Sequence, residues 1–250
     1  MREDAVSLIA GLFGERELAA ITGGGGKTTL MFALARHLQK AARVITTTTT
    51  HLCPPGPGDT GRLILGEEAR GELFAAPGEK SVTIAESEEE NGRLRGFAPK
   101  FIDELYAANA APYILVEADG AKRLPFKAYE AHEPVIPRGA TLHIVTIGAE
   151  PFLNPLTEEN TFRLRLFTQR RGIKSGDRLS YEMIADILED PNEYLKGADL
   201  NARRILLVNK CDLAGGRRIE EIVSALCGRL RSYDHLLFVS LRNGVVYGSA

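Results

Sequence analysis

Tryptophan is absent from the 250 residues, and cysteine is scarce, occurring only as Cys53, Cys211 and Cys227. None of the three forms a CxxC pair or stands in zinc-ligand spacing with one of the five histidines, which argues against a disulfide framework or a structural zinc centre. Long apolar runs are missing too. No stretch of 18 apolar residues is available to span a bilayer, and the first residues, MREDAVSLIAGLFGERE, lack a basic segment followed by a long apolar core and a small-residue cleavage site. The expected location is cytoplasmic, with no membrane partner. Surplus charge is likewise absent: 31 basic against 33 acidic residues leave a formal net charge of −2, too weak a field to draw the chain to nucleic acid. Any anion site must be local.

What is present is the composition of a packed globular protein, 44% hydrophobic and 26% charged. A chain of this length buries one sizeable core, so a single domain spanning residues 1–250 is expected. Val6, Leu8, Ile9 and Leu12 recur with helical spacing over Asp4 to Phe13. Leu18 to Ile21 then reads as a short buried strand, and Leu30, Leu34 and Leu38 mark an amphipathic helix over Lys27 to Lys40. The alternation continues with strands predicted at Arg43 to Thr46, Leu63 to Leu65, Ser81 to Ala85, Tyr113 to Val116, Leu142 to Ile147, Ile205 to Val208 and Leu236 to Val239. Helices are predicted at Glu67 to Ala75, Pro99 to Ala108 and Ser180 to Glu189, and on the stripe Ile219, Ile222, Val223, Leu226 and Leu230. Repeated β-then-α units predict a doubly wound, mostly parallel α/β sheet flanked by helices, three layers of the P-loop NTPase type. Three stretches depart from the pattern. Cys53 to Gly61 is a proline and glycine loop. Ala118 to Ala140 has no clear periodicity, and long structureless connections in compact domains are usually functional. Residues 154–197 form a mainly helical, arginine-rich insert.

The most specific local signal runs from Ile21 through Thr22, Gly23, Gly24, Gly25, Gly26, Lys27, Thr28 and Thr29. It matches the phosphate-binding pattern GxxxxGK[ST] except that Ile21 stands at the first glycine position. Glycines let the backbone fold tightly so that N–H groups point at phosphate oxygens, and the following helix adds its positive dipole end. Lys27 is expected on the β and γ phosphates and the Thr28 hydroxyl on Mg²⁺. The form GGxGK[ST]T also resembles the P-loop of MinD- and ParA-type ATPases, with Thr22 where those proteins carry their signature lysine. Downstream, Ile114-Leu115-Val116-Glu117-Ala118-Asp119-Gly120 is an apolar strand ending in two carboxylates. Glu117 and Asp119 lie two apart, on one side of an extended strand, where either could reach Mg²⁺; the ExxG spacing resembles that of nickel-insertion GTPases. The threonine run Thr46 to Thr50, followed by His51, closes the second strand, and Thr48 is a further candidate for Mg²⁺ or the attacking water.

A base-selecting element is readable near the end. Asn209-Lys210-Cys211-Asp212 follows one apolar strand and Ser240 follows the next, the order in which an NKxD aspartate accepts hydrogen bonds from guanine while the lysine packs over the base. Rejecting adenine needs such paired polar contacts, so GTP is favoured over ATP. After Glu117 the cations Lys122, Arg123 and Lys127, with His132, are placed to offset transition-state charge or hold a small anionic substrate.

Together, ITGGGGKTT, the Thr46 to His51 run, LVEADGAKRLPFKAYEAHEPVIP from Leu115 to Pro137, and VNKCD from Val208 to Asp212 resemble the YqeC-type proteins, selenium-dependent hydroxylase accessory proteins. The resemblance spans nearly the whole chain, is most specific over Glu117 to Pro137, and is loose across the insert. It implies a role in maturing molybdenum-containing hydroxylases that need a labile selenium cofactor, with such a hydroxylase or its cofactor-maturation proteins as partners. Three functions follow: an NTP hydrolase; a kinase or nucleotidyltransferase acting on a small selenium- or molybdopterin-related molecule; and a nucleotide-gated cofactor carrier with negligible turnover.

Overall fold

A computed structural model describes residues 4–72, 79–197, 199 and 201–250. The chain opens with α1 (Ala5–Ala10), whose N-cap Asp4 accepts the Ser7 N–H at 3.3 Å. Then come β1 (Glu17–Gly23), α2 (Lys27–Leu38), β2 (Val44–Thr48), β3 (His51–Leu52), β4 (Arg62–Leu65), α3 (Gly66–Glu72) and β5 (Ser81–Ala85). The part of the predicted third helix beyond residue 72 lies outside the described residues. Two dipeptide strands follow, β6 (Ser87–Glu88) and β7 (Leu94–Arg95), before α4 (Pro99–Ala107), started by Pro99 in the first turn, where a missing N–H costs nothing.

The middle of the chain carries β8 (Tyr113–Glu117), β9 (Phe126–Lys127), β10 (Leu142–Gly148), α5 (Glu150–Leu153), β11 (Thr161–Phe162), α6 (Leu164–Arg171) and α7 (Tyr181–Leu188), the last capped by Ser180, which accepts the Met183 N–H at 3.2 Å. It closes with β12 (Arg203–Asn209), a 3-10 turn (Cys211–Leu213), α8 (Gly216–Arg229), β13 (His235–Ser240) and β14 (Val245–Ser249).

Nine strands form one sheet in the order β14-β13-β12-β10-β1-β8-β2-β5-β4, parallel throughout except for the antiparallel edge strand β14. This is the three-layer α/β/α arrangement of the P-loop NTPase type. Alternate residues of each strand face opposite layers. Leu142, Ile144, Ile205 and Leu207 pack with α1 and α2, whereas Val145, Ile147, Leu206 and Val208 pack with α7, α8 and apolar residues of the 154–197 segment. On the other half of the sheet Leu18, Ala20, Ile45, Val82, Ile114 and Val116 pack against Phe101, Ile102 and Leu105 of α4. Because the strands are parallel, the carboxyl ends of β13, β12, β10, β1, β8 and β2 lie along one edge, where ligands of open α/β sheets bind. The unperiodic stretch after β8 is anchored rather than loose: β9 within it pairs in parallel with β11 at the start of the insert. A separate three-stranded sheet, β3-β7-β6, stands beside that edge.

Candidate functional site

The turn from β1 into α2 is built for glycine. Gly23 and Gly25 have φ of 93° and 73°, values that L side chains adopt at a cost. A Cβ at Gly23 would sit 2.0 Å from the Thr146 carbonyl oxygen, and one at Gly25 would sit 2.3 Å from the Gly148 nitrogen. The expectation that successive glycine amides face phosphate needs correction. The Gly23 N–H donates to Asp119 Oδ2 at 2.9 Å, the Gly24 N–H to the Thr146 carbonyl at 2.8 Å, and the Gly25 N–H to the Leu124 carbonyl at 3.0 Å. These three lock the loop to its neighbours, while the first turn of α2 lines a pocket and its N-cap Gly26 has no side-chain cap. Thr22 is also turned away: it is buried, its hydroxyl 2.8 Å from His143 Nε2.

Lys27 and Thr28, the first two residues of α2, meet the end of β8. Thr28 Oγ1 donates to Glu117 Oε2 at 2.6 Å, and Lys27 Nζ lies 4.0 Å from Glu117 Oε1, 3.1 Å from Asp119 Oδ1, and 2.7 Å from the Gly23 carbonyl it donates to. Burial works against the Lys27 charge, but Asp119 and Glu117 outweigh it and raise the pKa, so the ammonium is a permanent cation. Burial raises the Glu117 pKa, with Lys27 and the Thr28 hydroxyl pulling the other way. Asp119 is fully buried; burial pushes its pKa up, yet Lys27, Lys127 and the Gly23 amide hold the carboxyl below its usual range. The two carboxylates therefore differ in place. Glu117 lines the pocket at the loop, whereas Asp119 lies beneath it and fixes Lys27 and Gly23.

That pocket has a volume of about 820 Å³. Its walls include Gly24, Gly25, Gly26, Lys27, Thr28, Thr29, Glu117, Lys122, Arg123 and Lys210. Lys122 and Arg123 are exposed and both left-handed, with φ of 47° and 64°, a strain that tends to concentrate at functional sites. Sequence reasoning missed Cys53 and Arg93, which line the pocket together with His51 at the end of the threonine run. Arg93 is positioned by β7 pairing with β3, a contact between dipeptide strands that no local periodicity announces; its guanidinium donates to the His51 carbonyl at 3.2 Å. Thr48 does not open on the pocket: it is buried, donates to the Glu117 carbonyl at 2.7 Å and accepts the Thr50 N–H at 3.0 Å, bracing β2 against β8.

At the other end, Asn209 ties two elements together. Its Nδ2 donates to the Gly25 carbonyl at 2.7 Å, and its Oδ1 accepts the Leu241 N–H at 3.0 Å. Lys210, left-handed with φ 63°, pairs with Glu150 at the pocket rim. Asp212 is exposed on the following turn, and Ser240 is buried at the end of β13; neither lines the pocket.

The reading of Lys127 as a substrate-facing cation is corrected. Its side chain is fully buried, and Nζ lies 3.1 Å from Asp119 Oδ2, 3.1 Å from Glu133 Oε2 and 2.6 Å from the Gly120 carbonyl. Glu133 in turn pairs with Arg163. A buried chain of alternating charge thus runs from Lys27 through Asp119, Lys127 and Glu133 to Arg163. His132 lies outside it, exposed and 3.6 Å from Glu130.

Fold and site together define an α/β protein with a P-loop-like strand, glycine turn and helix facing a carboxylate from the neighbouring strand. Residues 19–165 match the family model described as YqeC protein, and the chain belongs to that family. It is similar to a protein of Escherichia coli (strain K12) described as "Uncharacterized protein YqeC", at 29% identity over 192 residues, covering 76% of this chain and 75% of that one. No solved structure matches the chain. The matched segment holds the glycine turn, Glu117, Lys122 and Arg163, and stops before Asn209. Among the described residues, no helix is long and apolar enough to cross a membrane.

Proposed function

We propose that this protein binds a nucleoside triphosphate with Mg²⁺ in the pocket at Gly24 to Thr29 and hydrolyses it, with GTP preferred to ATP. One observation carries the reading: a permanently charged lysine, a hydroxyl and a carboxylate converge at the uncapped N-terminus of a helix. The α2 amides and Lys27 would receive the phosphates. Mg²⁺ favours a few hard oxygen ligands completed by phosphate and water; Thr28 Oγ1 and Glu117 Oε2, 2.6 Å apart, are two such oxygens side by side, so these residues fit the ion. When bound, it would neutralise charge on the phosphates. Asp119 keeps Lys27 aimed, and Arg93, which also lines the pocket, supplies a second cation whose charge acts on Glu117.

The sheet order supports the nucleotide's direction. β12 and β13 stand two and three strands from β1, roughly 10–15 Å away, so Lys210, Asp212 and Ser240 lie on the side where the base would extend. The preference for GTP rests on Asp212 accepting hydrogen bonds from the guanine edge. Family resemblance supports placing the activity in the maturation of selenium-dependent molybdenum hydroxylases. Phosphate release from Mg²⁺–GTP without any acceptor is the expected result. Turnover that starts only when a small acceptor is added would replace hydrolysis by group transfer.

A further inference from the structure

A second chamber, of about 640 Å³, adjoins the first and shares Gly120, Lys122, His51 and Arg93 with it. That volume suits a small molecule and no polymer. One wall is the small sheet. Arg93 and Arg95 flank the buried Leu94 and both line the chamber, and the His51–Arg95 pairing holds β7 in place. The opposite wall brings Lys122, held left-handed with its ammonium 5.4 Å from the Phe162 ring, and Arg163. The Arg163 charge is already matched, by Glu133 and by Glu130 at 3.4 Å, and Glu133 is shared with Lys127. Among the described residues no carboxylate pairs with Arg93, Arg95 or Lys122. Three cations with no ion-pair partner thus line one concavity, Arg93 acting on Glu117 only at longer range.

The geometry points to this chamber as the binding site of a small phosphate monoester, seated beside the triphosphate. A dianion answers three cations better than a carboxylate does, and guanidinium forks match phosphate oxygens in pairs. The inference deepens the nucleotide reading and rests on it for what fills the adjoining pocket. Gly120 and Lys122 form a common wall, and the chain from Glu133 through Lys127 and Asp119 to Lys27 gives the two chambers a physical connection.

The test titrates phenyl phosphate, with benzoate in parallel, into protein saturated with Mg²⁺ and a non-hydrolysable GTP analogue, so that the first pocket is filled. Phenyl phosphate is expected to bind saturably, benzoate about tenfold more weakly, and Arg95→Glu to weaken phenyl phosphate by about tenfold or more while leaving affinity for the analogue unchanged. Arg95 is exposed and lines only the second chamber, so the variant separates the two sites. Absence of saturable phenyl phosphate binding in the millimolar range, its abolition by the analogue, or equal binding to Arg95→Glu overturns the proposal. Benzoate binding as tightly overturns the phosphate assignment. An analogue that fails to bind, with the Arg95 effect on phenyl phosphate intact, removes the nucleotide reading and leaves the chamber standing.

Discussion

Lys127 and Asp119 form an ion pair at 3.1 Å in which neither side chain is exposed to solvent. The same ammonium serves Glu133, and Asp119 also serves Lys27. One buried cation therefore stands between two carboxylates, Asp119 fully buried and Glu133 nearly so. Lys127→Met should cost about 3–5 kcal/mol, because it strands charge rather than removing a favourable pair. Urea unfolding checks this, and a loss below about 1 kcal/mol would show that solvent or rearrangement compensates.

Gly25→Ala meets both a left-handed φ of 73° and the Gly148 nitrogen at 2.3 Å. It is expected to lower stability by about 2–4 kcal/mol and to weaken nucleotide binding by distorting the turn. Gly216→Ala, at the start of α8 with nothing within 4 Å of the new Cβ, should be neutral or slightly stabilising. Equal melting temperatures for the two variants would contradict the packing described for the turn.

His143 lies behind the same turn, and its pKa is lowered from 6.5 to about 4, chiefly by burial and secondarily by Arg204. As pH falls through 6.5 the unfolded chain takes up a proton that the folded one refuses until about 4. Stability therefore declines across that window as pH falls, by about 2 kcal/mol between pH 7 and pH 5. His143→Gln should flatten this slope in chemical denaturation, and an unchanged slope would mean that the ring takes up its proton in the folded chain as it does in the unfolded one.

Asp212→Asn reverses the hydrogen-bonding character of the group assigned to guanine. Discrimination between GTP and ATP should shrink by about tenfold or more, since unmatched polar contacts carry most of such selectivity. Competition binding of the two nucleotides measures it; unaltered preference would take Asp212 out of base recognition.

Parallel strands and their helices were legible because each is a local pattern: Leu18 to Ile21 and Leu142 to Ile147 are apolar runs, and Leu30, Leu34 and Leu38 repeat at helical spacing. The glycine turn and Glu117 were readable for the same reason. The β3-β7-β6 sheet was not, since two-residue strands have no periodicity and His51 meets Arg95 only through the fold. Arg93 and Arg95 were missed with it. Lys127 was misread because a lysine in an irregular segment is ordinarily solvated; its burial follows from Asp119 and Glu133, contacts set by tertiary packing. Edge strand β14 escaped because its half-exposed residues form no buried apolar run.

Calorimetric titration of the purified protein with GTP or ATP and Mg²⁺, repeated on Lys27→Ala with its fold verified by circular dichroism, addresses the central claim most directly. The account predicts saturable one-to-one binding by the wild-type chain and a loss of about a hundredfold or more in the variant, which keeps the loop but removes the buried ammonium that lines the pocket there. No saturable binding at millimolar nucleotide, or an affinity that Lys27→Ala leaves untouched, would contradict it.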